Sequence, residues 1–262
     1  MNKKTTYLLI FVLALIAVAV YAYVNFSAPQ TGKNFSGQIG QVVPQSVISE
    51  MNVPSNVSNR IGAGSVSGLP FNINSPILSN GTKPEILYVG ADYCPYCAVT
   101  RWGLIIALLR FGSFSNLHYT ASNSSDVYAN SATFSFYNST YSSSYVSFTG
   151  VEIATRSMYQ SLQKPTTFQN SIFVTYNPGG GIPFIDFANI SIQAGAPVTP
   201  QVIQGSSWSS IISNLTVTNS SVSQALVGTA DVYTAEICRA TNFTPTSVCS
   251  QPYVNNLLKT FK

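Results

Sequence analysis

Charged residues are scarce in this chain of 262 residues. Asp, Glu, Lys and Arg make up only 8% of it, whereas a typical soluble domain contains about 25%. The net charge of +4 is dispersed, and the longest basic run is Lys3-Lys4. Because nucleic-acid binding needs clustered Lys and Arg, this composition argues against a nucleic-acid partner.

Residues that ligate metals are also few. The chain has one histidine, His118, and four cysteines. A structural zinc site takes four Cys or His ligands at suitable spacing. A site built on Cys94 and Cys97 would need an atypical second half from Cys238 and Cys249. Zinc binding is therefore a less favoured alternative, and we expect neither a metal nor another cofactor.

Ser, Thr, Asn and Tyr take the place of the missing charge, and 45% of the residues are hydrophobic, which is enough for a core. Ten Asn-x-Ser/Thr motifs begin at Asn25, Asn34, Asn56, Asn80, Asn123, Asn138, Asn189, Asn214, Asn219 and Asn242. This pattern favours an exported, glycosylated chain. The alternative is that a sequence rich in Asn and Ser produces such motifs by composition alone.

The amino-terminal segment is predicted to be a membrane anchor. The uncharged stretch YLLIFVLALIAVAVYAYV begins at Tyr7 and ends at Val24. As a helix it would be roughly 27 Å long, close to the thickness of the hydrocarbon core. Basic residues precede it and none follows closely, so the positive-inside rule predicts residues 1–6 in the cytosol and the rest outside the cell membrane. A cleaved signal peptide is the alternative, but its apolar region would be shorter and would end in small residues.

The remainder divides into a linker and one domain. Residues 25–83 are rich in Ser, Asn, Gly and Pro, which predicts an extracytoplasmic linker with short order around 42–51 and 75–78. A domain is expected over 84–262. Hydrophobic patterning predicts strands at 85–91, 117–121, 133–137, 145–148, 171–176, 182–187 and 190–193, and helices at 94–110, 153–162, 208–215 and 221–240.

The motif Cys94-Pro95-Tyr96-Cys97 follows a predicted strand and opens a predicted helix. Proline suits the first helical position, which makes Cys94 the cap. Free N–H groups and the helix dipole favour a thiolate there, so we expect its pKa to lie below about 8.5. Cys97 lies one turn further, within reach for a disulfide. The spacing predicts a redox pair in which Cys94 attacks and Cys97 resolves; a static disulfide and half of a zinc site are the alternatives.

A strand, the CPYC motif and a helix, followed later by GIPF at the start of a strand, resemble the thioredoxin-like superfamily. The strings GADYCPYCAVTRWGLIIALLRFGSFSNL and GIPFIDFAN are similar to an archaeal membrane-anchored family, domain of unknown function 929, over most of 83–262. The resemblance implies an α/β, thioredoxin-like fold with a cis bond between Ile182 and Pro183 beside Cys94. It also implies that Tyr96, Ile182 and Pro183 contact the substrate.

The chain departs from the thioredoxin pattern in two respects. Pro183 follows Cys97 by 86 positions, which is longer than the family interval and predicts an insertion at about 123–162. The buried acid that accepts a proton in thioredoxins has no match, because Glu85 lies too early in its strand. Asp92 and Asp186 are the candidate proton shuttles.

Two further features have a structural and a functional interpretation. Cys238 and Cys249 are predicted to form a structural disulfide, with a second redox pair as the alternative. Arg101, one turn beyond Cys97, is interpreted as a structural residue, with lowering of a thiol pKa as the alternative.

These observations predict a membrane-anchored, extracytoplasmic thiol–disulfide oxidoreductase of the oxidase or isomerase type. Its expected partners are protein thiols and disulfides, together with a membrane protein that resets its redox state. The competing hypothesis is a non-catalytic binding or assembly module whose CPYC disulfide is permanent.

Overall fold

The computed structural model of the chain describes residues 35–73, 75–158 and 160–261. They form a mixed α/β structure. The predicted membrane span at 7–24, like the cytosolic segment 1–6, lies outside these residues. Among the helices that the structure describes, none has both the length and the apolar character needed to cross a membrane.

Among the described residues, the first helix begins at Phe35 and the last ends at Leu258. The helices are α1 (Phe35–Gln38), α2 (Gln45–Glu50), α3 (Ser55–Ile61), α4 (Pro95–Leu109), α5 (Thr167–Tyr176), α6 (Trp208–Asn214), α7 (Ser221–Ala240), α8 (Thr246–Cys249) and α9 (Pro252–Leu258), with a 3₁₀ turn at Pro200–Val202.

The strands form one main sheet and two small ones. They are β1 (Phe71–Asn72), β2 (Ser79–Asn80), β3 (Lys83–Gly90), β4 (Gly112–Ser115), β5 (His118–Ala121), β6 (Ala132–Ser135), β7 (Thr140–Ser143), β8 (Ser147–Glu152), β9 (Phe184–Phe187) and β10 (Ser191–Ala194). The main sheet runs β1–β10–β9–β3–β8, and β2 pairs with the start of β3. Among the strands that the structure describes, only β3 and β8 form a parallel pair. The small sheets are the antiparallel pairs β4–β7 and β5–β6.

The central strand β3 is buried on both faces, as its continuous apolar run predicts. Ile86 and Tyr88 point into the main core, whereas Leu87 and Val89 belong to a smaller cluster on the opposite face. That smaller cluster is covered by α5 through Ile172. The sheet therefore holds the end of β3 rigidly, and the CPYC motif follows that end.

The helix that carries the motif lies in the main core against α7. The two helices approach closely at Gly103, where an added Cβ would lie 2.4 Å from the Cγ2 of Thr229. Thirteen of the fifteen α4 residues are buried, including Trp102, which agrees with the apolar character of the helix all round. The packing fixes the orientation of α4 and thus of its amino terminus.

The prediction of a linker is wrong for the part of residues 25–83 that the structure describes. Between residues 43 and 61, apolar side chains enter the main core, namely Val43, Ile48, Met51, Val53, Val57 and Ile61. Strand β1 adds to the sheet edge, and Val42 bridges to His118. The apolar residues in this region are sparse in the sequence but recur on one side of short helices, and docking onto the domain orders them.

The predicted insertion also has different bounds. Strand β8 pairs in parallel with β3 over Glu85–Gly90, so residues 147–152 of the predicted range 123–162 belong to the main sheet. The segment between α4 and β8, residues 112–146, is the part that forms the separate small sheets. A crossover between parallel strands must leave the sheet and return, and here it does so through α4 and these two sheets.

Two predicted elements have the wrong type. Residues 171–176 form the second half of helix α5, which begins with a capping box between Thr166 and Gln169. The β-branched and aromatic residues of this segment favour a strand, but the capping box and the packing of Ile172 stabilise a helix. Residues 153–162, predicted as a helix, form a loop closed by a bridge between Ala154 and Ser161.

Candidate active site

The CPYC motif starts helix α4 immediately after β3. Cys94 is the N-cap, with an extended backbone, and Pro95 occupies the first helical position. The backbone N–H of Cys97 donates to Cys94 Sγ over 3.1 Å. This is the capping geometry that the sequence predicts, with sulfur in the place of the usual oxygen.

The two cysteines are free thiols with different accessibility. Cys94 is 5% exposed, whereas Cys97 is fully buried. The pKa of Cys94 is lowered, chiefly because the Cys97 thiol donates a hydrogen bond to it, with further contributions from the Cys97 N–H and from Arg101 that together outweigh burial. Burial raises the pKa of Cys97 well above its ordinary value, and the hydrogen bond to Cys94 adds to the effect. The outer sulfur is thus the one that ionises.

A buried ion pair lies behind the motif. The Arg101 guanidinium, on α4, donates two 2.8 Å hydrogen bonds to the carboxylate of Glu152, the last residue of β8. Its Nη2 also donates to the carbonyl of Ala91 over 2.6 Å. Both charged side chains are inaccessible to solvent. Burial opposes the charge of Arg101, but Glu152, Tyr88 and the other neighbouring groups outweigh it and hold its pKa well above the ordinary value.

Arg101 therefore connects the motif turn to the central sheet. It fixes the carbonyl of Ala91 in the segment between β3 and Cys94. Its positive charge contributes to the lowered pKa of Cys94 and partly opposes the rise in the pKa of Cys97. Tyr88 lies alongside, with its ring centroid 5.9 Å from the guanidinium carbon. Gly90 is required here because an added Cβ would lie 2.1 Å from the Tyr88 hydroxyl.

Asp92 lies at the edge of the same cluster. Its Oδ1 is 3.6 Å from Arg101 Nη2 and has no hydrogen-bond partner although it is buried. Burial, together with the negative charge of Glu152, raises the pKa of Asp92 to about 7, while Arg101 and Ser135 act in the opposite direction. A carboxyl group with this pKa can accept or release a proton near neutral pH.

Asp186 is not brought to the cysteines. On β9 it pairs with Leu87, near the middle of β3, and its Oδ1 accepts from the Asn189 N–H in the β9–β10 turn. Burial raises its pKa to about 7, and Glu85, near the start of β3, adds to the rise. Asp186 thus faces the end of β3 that is remote from Cys94, and it stabilises the turn.

The other predicted substrate-binding residues surround Cys94. The Ile182 carbonyl lies 3.9 Å from Cys94 Sγ, and the Ile182–Pro183 bond is cis. No main-chain hydrogen bond pairs Ile182 with any residue that the structure describes. Tyr96 is 44% exposed between the two cysteines. The structure therefore places Ile182 and Tyr96 beside Cys94, and their contact with a substrate stays a prediction.

Cys238 and Cys249 form a disulfide away from the motif, with a Cα–Cα distance of 5.5 Å. This confirms the predicted pairing. Both residues are buried, and they join the end of α7 to α8. Over the ranges that the structure describes, no three His, Cys, Asp or Glu side chains come together as metal ligands would.

The sequence interpretation missed Glu152 and Tyr128. Glu152 is one of only eight acidic residues and ends a β-prone run, and that isolation was the one available signal of a buried, paired acid. Tyr128 lies in a polar loop and gave no signal. The sequence does contain a signal for the burial of Arg101, because the helix residues on either side of Arg101 are almost all apolar.

Comparison with known proteins supports the family resemblance. Residues 70–177 match the model of the family described as Domain of unknown function (DUF929). The match contains the CPYC motif, Arg101 and Glu152, but it ends before Pro183 and is shorter than the expected range of 83–262. No curated protein and no solved structure matches the chain. Over residues 70–177, this chain is therefore similar to the DUF929 family, as its sequence predicts.

Proposed function

We propose that this protein is a thiol–disulfide oxidoreductase that acts on protein disulfides through Cys94 and Cys97. The observation that carries the proposal is the cap geometry of Cys94. Its sulfur accepts the Cys97 N–H, in the first turn of a buried helix, over 3.1 Å, and a second, buried thiol lies one turn away. Such an arrangement stabilises the thiolate that attacks a disulfide.

We also propose that the domain has a thioredoxin-like fold. Strand β9 pairs antiparallel with β3, with Phe184 opposite Val89. The segment that enters β9 therefore lies beside the turn that leaves β3, which brings Ile182 to Cys94. This juxtaposition of a proline-led strand with the CxxC helix is the feature that the superfamily resemblance implies, and it supports the assignment.

The reaction proceeds in two exchanges. The Cys94 thiolate attacks one sulfur of the substrate disulfide, so that a Cys94–substrate disulfide forms and the other substrate sulfur leaves as a thiolate. Cys97 then loses its proton and attacks Cys94 Sγ, which releases the second substrate thiolate and leaves a Cys94–Cys97 disulfide. Two electrons pass from the enzyme to the substrate, and the reverse sequence oxidises a substrate dithiol.

The buried cluster has two roles in this scheme. Arg101, held by Glu152, stabilises negative charge on either sulfur. Cys97 must lose its proton although its pKa is raised. We assign the role of proton acceptor to Asp92, whose buried carboxyl has an unpaired oxygen and lies 3.6 Å from Arg101, the cation that also acts on Cys97. Asp186 has no part in the exchange, since its carboxyl is bound in the β9–β10 turn.

The compartment and direction follow from the same chemistry. A buried Cys238–Cys249 disulfide is typical of exported proteins, which supports an extracytoplasmic domain carried by the anchor at 7–24. A stabilised Cys94 thiolate favours the reduced form, so the Cys94–Cys97 disulfide is an oxidant for substrate thiols. The enzyme then acts as an oxidase or isomerase, and a membrane protein accepts its electrons.

Trapping of substrates tests the proposal. In cells that express Cys97→Ser, the mixed disulfide on Cys94 cannot be resolved, so we expect protein adducts that disappear on reduction. The matched control, Cys94→Ser, keeps only the buried thiol and should give none. Equal adducts with both variants, or none with either, would contradict the proposed function.

A further inference from the structure

An aromatic pair stands beside the nucleophile. Tyr96, between the two cysteines, meets Tyr128 edge to face, with ring centroids 5.9 Å apart and an angle of 86° between the rings. Tyr96 is 44% exposed. The Ile182 carbonyl lies 3.9 Å from Cys94 Sγ. A polypeptide that reaches Cys94 therefore comes close to the main chain at Ile182 and to the ring of Tyr96.

The loop that carries Tyr128 is held in place by hydrogen bonds. The Tyr128 carbonyl accepts from the hydroxyls of Ser122 and Ser131, over 2.8 and 2.9 Å. At the start of the loop, the Asn123 N–H donates to the Tyr93 carbonyl over 2.9 Å, directly beside the CPYC motif. The aromatic pair is therefore prearranged relative to Cys94, which lowers the entropic cost of binding against it.

The surroundings of Cys94 present little charge. Tyr93, Tyr96, Tyr128 and Ile182 are uncharged, and the segment that leads to Ile182 is NPGGG. The nearby cations are engaged elsewhere, because Arg101 is buried with Glu152.

Arg156, in the next loop, is also occupied. Its Nε donates to the Ser122 carbonyl over 3.0 Å, and its Nη2 donates to the Asn130 side chain. Arg101 and Arg156 are thus both occupied by other groups, and the acidic Asp126 accepts a main-chain N–H of its own loop. A small thiol compound with carboxylates, such as glutathione, would find neither of these two arginines free.

We propose that Tyr96 and Tyr128 determine substrate specificity by binding an apolar or aromatic side chain next to the cysteine of an extended protein segment. This inference rests on the proposed function and names its substrate class. Protein disulfides with uncharged flanks are preferred over glutathione disulfide and over disulfides flanked by charge. The chemical step is the first exchange described above, with the leaving thiolate carried by the peptide.

Matched peptide disulfides test the inference. Two short peptides, each dimerised through one central cysteine, would carry Leu and Tyr or Glu and Lys beside it. The rate at which Cys94 of the full-length protein exchanges with each is measured by mass spectrometry, alongside glutathione disulfide and the small neutral bis(2-hydroxyethyl) disulfide. We expect wild-type protein to react about threefold to tenfold faster with the apolar peptide than with the charged peptide. This factor is typical of one aromatic contact.

Tyrosine variants assign the effect to the pair. Tyr96→Ser and Tyr128→Ser should lose this preference, Tyr128→Phe should retain it because the ring remains, and the control Tyr145→Ser, at a tyrosine in the turn between β7 and β8, should behave as wild type. In Tyr128→Ser, reaction with bis(2-hydroxyethyl) disulfide, which has no side chain for the rings to bind, should fall less than reaction with the apolar peptide. If Tyr128→Ser and wild type show the same preference, or glutathione disulfide reacts fastest, the inference is wrong although Cys94 reacts. If wild type reacts with none of the four disulfides, the proposed function itself fails.

Discussion

The two cysteine pairs of this protein lie at opposite ends of helices. Cys94 caps the amino terminus of α4, whereas Cys238 lies in the last turn of α7 and Cys249 is the final residue of α8. Free N–H groups and a partial positive charge surround a sulfur at the amino terminus of a helix, whereas free carbonyls and a partial negative charge surround one at the carboxyl terminus. The amino-terminal position stabilises a thiolate, and the carboxyl-terminal position does not.

The pairs also differ in what they connect. Cys94 and Cys97 are one helical turn apart, so a bond between them would constrain little of the chain. Cys238 and Cys249 are separated by 11 residues and join two helices. The function of a cysteine pair therefore depends on its helix position and on the loop it closes more than on the two residues alone.

Replacing the nucleophile should abolish exchange. We expect Cys94→Ser to reduce turnover of a protein disulfide to the uncatalysed rate, because Cys97 is buried and its pKa is raised. The double variant Cys238→Ala/Cys249→Ala should keep full activity per folded molecule. A coupled assay of disulfide reduction measures both. Loss of activity in the double variant, with its fold intact by circular dichroism, would instead support the relay hypothesis for Cys238 and Cys249.

Removing the cation behind the first pair should destabilise the fold. Arg101→Met leaves the Glu152 carboxylate buried without its cationic partner and with only the 3.4 Å hydrogen bond from the Phe136 N–H, which should lower the free energy of unfolding by about 3–5 kcal/mol. Arg101→Met/Glu152→Leu removes both charges and should recover most of that loss. It should nevertheless raise the pKa of Cys94, since the cation is gone. Urea denaturation and alkylation kinetics measure the two effects. If the single variant is as stable as the double variant, Glu152 is not a buried anion.

Removing the second pair should affect stability alone. The Cys238–Cys249 disulfide closes a short loop and should contribute ~3 kcal/mol to the free energy of unfolding in the chain-entropy model. The variant Cys238→Ala/Cys249→Ala should therefore unfold at a lower urea concentration. As a comparison, Cys94→Ala/Cys97→Ala should change the urea midpoint of the reduced protein far less. Equal midpoints for wild type and the Cys238→Ala/Cys249→Ala variant would show that the disulfide constrains nothing.

Alkylation should distinguish the thiols by pH. The rate follows the thiolate fraction, so it rises with pH and levels off above the pKa. Because the pKa of Cys94 is lowered in the folded protein, its half-maximal rate should fall below about pH 8.5, the value for a free cysteine. Protein unfolded in urea should return to the free value and is the control. A folded-state midpoint at or above the free value would remove the electrostatic basis of the proposed function.

Much of the fold was predictable because its signals are local. The apolar run of β3, the helix from Pro95 and the two helices at 208–214 and 221–240 are all present as predicted. The predicted elements are wrong where tertiary packing overrides the local secondary-structure propensity of the residues. Helix α5 has a strand-like composition, and the helices before Lys83 are too short and too polar to be stable without the core onto which they dock.

The sequence alone determined the reactive geometry. The Cys94 cap depends on residues within one helical turn, namely Pro95 at the first helical position and Cys97 at the third, and short-range contacts of this kind are encoded by spacing. The tertiary structure decided the rest of the site. Ile182 reaches Cys94 from 88 positions away and Glu152 reaches Arg101 from 51, because sheet register and crossover path determine such meetings, and neither can be read from spacing.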